Sequence, residues 1–72
     1  MIATIRFYLD SNGNYREKKI HFPSHISVNV LGELIEIFLN GYRAGSGLNA
    51  ILIGLTDTGQ WDVEYDSKSQ MF

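Results

Sequence analysis

The 72-residue sequence has no cysteine, which excludes a disulfide framework, a thiolate metal cluster and a cysteine nucleophile. It contains no apolar run near the ~20 residues that a membrane-spanning helix needs. The opening MIATIRFYLD places Arg6 and Asp10 where a secretion signal would require unbroken hydrocarbon. A cytoplasmic protein without membrane contact is the expectation. Charge is sparse as well, with charged residues at 19% and a formal net charge of −2. The basic residues cluster nowhere beyond Arg16-Glu17-Lys18-Lys19, so the broad electropositive surface that duplex DNA demands is lacking.

What is present is an apolar fraction of 44%, the balance of a packed globule. A chain this short forms one domain, residues 1–72, near the size at which a single core leaves about 3–5 kcal/mol of net stability. Each large apolar side chain is therefore first a core candidate. No internal repeat, linker or low-complexity tract divides the chain, and its elements read strand, strand, helix, strand, strand.

Asn12-Gly13 is the pair that suits a two-residue hairpin turn, with Ser11 facing Asn14. Extending that register pairs Ile5 with Ile20 and Ala3 with Phe22, and gathers Ile5, Phe7, Leu9, Ile20 and Phe22 on one face. A one-residue slip would set Lys19 and His21 among them. The other face carries Thr4, Arg6, Tyr8, Glu17, Lys19 and His21. Pro23 closes the second strand. Ser27 or Asn29 can cap a helix from Val28 to Tyr42 or Arg43, and Gly45 and Gly47 supply its stop.

The third strand, Asn49 to Thr56, is almost wholly apolar, which points to a place inside the sheet. The fourth, Gln60 to Asp66, alternates. A three-residue loop, Asp57-Thr58-Gly59, would join the two as a hairpin with Ile51, Ile53, Leu55, Trp61, Val63 and Tyr65 facing one way. Ala50, Leu52, Gly54 and Thr56 would face outward beside Gln60, Asp62, Glu64 and Asp66. The residues from Ser67 onward read as a frayed tail. The expected fold is α+β: ββαββ, with one helix on one face of a four-stranded, mainly antiparallel or mixed sheet. That succession resembles the ubiquitin-like and immunoglobulin-binding β-grasp domains. The chain ends Ser69-Gln70-Met71-Phe72, however, without the diglycine that conjugation uses.

Asp57-Thr58-Gly59 behind an apolar strand also resembles the signature of retroviral-type aspartic proteases, in which paired aspartates share a proton. It departs from that family at Gln60-Trp61, and too little chain follows to build the family's barrel and flap. The hairpin turn accounts for the string. His21 and His25 share the four-residue spacing of a helical metal pair, but Pro23 between them forbids the helix. No catalytic residue, cofactor or metal ligand is therefore assigned.

Three surfaces remain. The helix carries an apolar arc of roughly 200°, broader than one sheet face covers, so Val30, Ile35, Ile37 and Leu39 are candidate partner or self-association residues. Asp62, Glu64 and Asp66 form a carboxylate stripe that could receive a basic partner, or simply keep an edge strand soluble. Arg6, Tyr8, Lys19 and His21 offer the alternative of stacking and holding single-stranded nucleic acid. The expected function is a small non-enzymatic protein-binding module, an inhibitor or regulator that occupies a partner surface and can form a homodimer.

Overall fold

The computed structural model describes residues 1–65, so the expectations for Asp66 and for the tail from Ser67 lie outside the described residues. The elements are β1 (Ile2–Tyr8), β2 (Tyr15–His21), α1 (Val28–Ser46), β3 (Ala50–Thr56) and β4 (Val63–Glu64). They form an α+β fold in ββαββ order, with the helix against one face of a mixed sheet of order β3-β1-β2-β4. β1 is antiparallel to both β2 and β3, and β2 is parallel to β4. Among the described residues no helix is long and apolar enough to cross a membrane.

The first hairpin forms, two residues away from the expected register. Ala3 pairs with Ile20 and Ile5 with Lys18, so the loop is Asp10 to Gly13, with Leu9 bonded to Asn14. Asp10 is the cause. Its Oδ1 accepts the backbone N–H groups of Asn12 (2.8 Å) and Asn14 (3.2 Å), and its Oδ2 accepts the Asn14 side-chain amide (2.7 Å). Gly13 turns the chain at a φ of 91°. A two-residue shift keeps every side chain on its own face, so Ile5, Phe7, Ile20 and Phe22 are buried as expected. Leu9, beyond the strand end, is half exposed.

Ser27 is the helix N-cap, accepting from the Val30 N–H at 3.3 Å. The helix runs through Gly45 and stops at Gly47, whose left-handed conformation (φ 72°) lets its N–H reach the Arg43 carbonyl at 2.9 Å. Leu31, Ile35, Phe38 and Leu39 pack on Ala3, Ile5, Phe7, Ile20, Phe22 and Ala50 to make the core. Helical spacing thus puts one stripe of α1 against one face of the central strand pair.

The second half of the chain overturns two expectations. β3 is not interior. Among the described residues it is an edge strand, paired only with β1. The β3–β4 hairpin does not form, because residues 57–62 carry the chain from one edge of the sheet to the other. This crossing passes the face opposite α1. Gly59 lies against Ile2, which is only 3% exposed, and the Trp61 ring stacks on His21 at 4.3 Å. β4 then docks on the free side of β2, where Tyr65 stacks on Phe22 at 5.1 Å and Val63 packs against the core. A hairpin with β3 would have left that flank of Phe22 open. The chain covers its largest fully buried side chain instead.

The face assignment of β3 changes accordingly. Gly54 pairs with Thr4 but Leu52 with Ile5, which leaves Ile53 as the extra residue of a bulge. Directly opposed residues share a face, so Ala50, Leu52 and Leu55 join Phe7, Ile5 and Ala3 on the helix side. Ala50 and Leu52, expected to point outward, point inward, and Ala50 is fully buried.

Candidate interaction surfaces

The first surface is the open edge of β3 and the groove between that strand and α1. α1 is held near the start of β3 by Arg43, whose Nη2 donates to the Ala50 carbonyl (2.7 Å) and whose Nε donates to Asn49 Oδ1 (3.0 Å). Arg43 Nη1 also donates to Asn40 Oδ1 one turn back. Towards the other end the two elements leave a groove floored by Leu31, Ile35 and Leu39 and walled by Val28, Leu52 and Leu55. Leu52 is 38% exposed, Ile53 and Leu55 are each 45%, and Val28 is 81%. No residue of Ala50–Thr56 is charged, and the strand contains no proline. Natural sheets protect exposed edges with short strands, lysine, proline or a covering element. β3 has seven residues and, among the described residues, one pairing neighbour.

The four expected helix residues divide. Ile35 and Leu39 belong to the core, at 4% and 3% exposure. Ile37, at 55%, is open at the margin of the groove, and Val30, at 42%, is open one spacing of seven residues earlier on the helix. The apolar arc is thus broad because one part of it serves the core while the flank bearing Val30 and Ile37 faces outward.

The carboxylate stripe is broken. Asp62, though exposed, is tied to the edge of β2, where its Oδ2 accepts the Lys19 N–H (2.8 Å) and its own N–H donates to the Lys19 carbonyl (2.7 Å). It clips the crossing segment to the sheet just before β4 begins. Glu64 is exposed on β4, and Asp57 is exposed on the crossing.

The nucleic-acid candidates do share the outer face of the central strands. Arg6 is bound to Glu17 (Nη2 to Oε2, 2.9 Å) and lies over the Tyr15 ring, 4.1 Å from its centroid. Tyr8 meets Tyr15 edge to face at 6.1 Å. The guanidinium is held above its ordinary range, first by Tyr8 and then by Glu17. Lys19 is exposed, but His21 lies under Trp61. The His21 Nδ1 atom is buried with no hydrogen-bond partner among the described residues. Arg6, His21 and the half-buried Tyr8 are therefore engaged within the fold, whereas Tyr15 and Lys19 are presented. His25 is exposed beyond Pro23.

Sequence reasoning missed three residues here. Tyr15 was separable as Tyr8's partner only with the register fixed by Asp10. Trp61 reads as an alternating strand residue until the crossing is known. Arg43 ties α1 to β3 through neighbours that helix periodicity does not reveal. The chain matches no protein-family profile, no curated protein and no solved structure.

Proposed function

We propose that the chain is a non-enzymatic cytoplasmic protein-binding module, acting as an inhibitor or regulator through the β3 edge and the adjoining groove. The observation that carries this reading is a seven-residue uncharged edge strand whose Leu52, Ile53 and Leu55 are exposed beside an open apolar groove. Such an edge offers backbone hydrogen bonds for affinity, and its side chains supply apolar burial and selectivity. Contiguous exposed apolar surface of this kind marks interaction sites in folded proteins.

Photo-crosslinking from a benzoylphenylalanine placed at Ile53, in the expressing cell, tests the proposal. The expected product is an adduct with a polypeptide, a second copy included. Absence of any polypeptide adduct overturns the reading.

The paired rings of Tyr8 and Tyr15, on the same sheet face as the exposed Lys19, favour single-stranded nucleic acid as a second reading. Salt-dependent oligonucleotide binding that is lost in Tyr15→Ala and Lys19→Ala supports it, and no binding at low salt removes it.

A further inference from the structure

We infer that the occupant of the β3 edge is the β3 edge of a second copy, the two strands pairing antiparallel about a twofold axis into a continuous eight-stranded sheet. This inference rests on the proposed function and specifies its partner. An antiparallel strand is self-complementary under a twofold rotation, so one patch supplies both halves of the interface. Pairing satisfies the row of backbone donors and acceptors that an edge leaves open.

Charge points to the same approach. Each copy carries a net charge of −2, and β3 itself has no charged side chain to meet its like across the strand pair, the groove's two carboxylates, Glu33 and Glu36, being on α1. The opposite edge differs. β4 has two residues, bears Glu64, and is preceded by Asp62, which is committed to Lys19.

The area is adequate. Leu52, Ile53, Leu55, Val28 and Ile37 are between 38% and 81% exposed. Covering them in both copies hides about half of ten aliphatic side chains, on the order of 300–600 Å² of apolar surface. Two strand edges, each ~23 Å long, and the groove margins raise the total to the order of 1,000 Å² at which specific interfaces begin. The bulge at Ile53 places Leu52 and Leu55 on the helix side, so both line the groove that the second copy would close. Gly32 faces the same groove with nothing within 4 Å of where its Cβ would stand, leaving room for an incoming side chain.

The test is solution mass by sedimentation equilibrium on wild type, Ile53→Lys, Leu55→Lys and, as a control on the opposite edge, Glu64→Lys. Each is checked for helix content by circular dichroism. The expected result is twice the 8.2 kDa chain mass for wild type and Glu64→Lys, and the chain mass for folded Ile53→Lys or Leu55→Lys. A wild type that stays at the chain mass at high micromolar concentration overturns self-pairing while leaving the partner-surface reading to its crosslinking test. A dimer that persists in a folded edge-lysine variant also overturns it. If neither lysine variant folds, intermolecular proton contacts between β3 backbones in a mixed isotope-labelled wild-type sample decide. Their presence supports the pairing and their absence from a wild-type dimer refutes it.

Discussion

Gly45 and Gly47 look interchangeable as helix terminators, yet replacing each with alanine should move stability in opposite directions. Gly45 lies within α1, and a Cβ added there meets nothing within 4 Å. Gly45→Ala therefore gains helix propensity without a clash, a stabilisation of roughly 0.5–1 kcal/mol. A Cβ on Gly47 is equally unobstructed in space, but the residue sits at φ 72° and ψ 7°. Alanine in the left-handed region costs roughly 1–2 kcal/mol, of which about 0.4–1 is returned by a less flexible unfolded chain. Taking the middle of each range, the net is a loss of about 0.8 kcal/mol. The two variants should then differ by about 1–2 kcal/mol, which for a domain of this size separates their midpoints by roughly 4–16 °C. Thermal unfolding followed by helix ellipticity, at one protein concentration, measures this directly. A destabilised Gly45→Ala would refute the reasoning, because it would mean that the helix ends at Gly45. A neutral or stabilised Gly47→Ala would do the same for the cap.

Phe22 is fully buried between the sheet and Tyr65. Phe22→Ala should cost about 3–5 kcal/mol, which is comparable with the whole stability of such a domain, so a largely unfolded variant by circular dichroism is expected and a fully folded one would contradict the placement of β4. Asp10 gives a pH-dependent prediction. The Asn14 side chain, aided by the N–H groups of Asn12, Asn14 and Gly13, holds its carboxyl below the usual aspartate value of 3.8 despite partial desolvation. A depressed folded-state value means stability that is present above 3.8 and lost as pH falls through the lower, folded value. The difference between wild type and Asp10→Ala in urea unfolding should hold at neutral pH and shrink with acidification across that window. A difference that instead grew in acid would have the wrong sign.

Much of the first half of the molecule was legible because period-two and helical patterns act locally. Ile5, Phe7, Ile20 and Phe22 had to share a face in any register of the right parity, and Ser27 and Gly47 bracket α1 with groups that satisfy its open ends. The register itself was not legible from Asn12-Gly13. Asp10 recruits two backbone N–H groups and lengthens the loop, a competition between a side-chain cap and a tight turn that composition does not decide. The second half was misread for a different reason. An apolar run such as Ala50–Thr56 is the usual mark of an interior strand, and an apolar strand followed by Asp-Thr-Gly is a natural hairpin. The unformed hairpin reflects a long-range preference. Trp61 finds His21, Tyr65 finds Phe22, and Asp62 finds the Lys19 backbone, all in β2 or just past its end. Among the described residues these contacts leave β3 without a second neighbour, and the candidate surface was missed because its exposure follows from where β4 goes.

The β3 edge, without an outer neighbour among the described residues, is the proposed meeting place with a partner polypeptide. The most direct test compares crosslinking from benzoylphenylalanine at Ile53 with crosslinking from the same group at Glu64, on the opposite edge, in the same cells. Polypeptide adducts from position 53 and few or none from position 64 are the predicted result. Adducts confined to position 64, or equal at both, would contradict it.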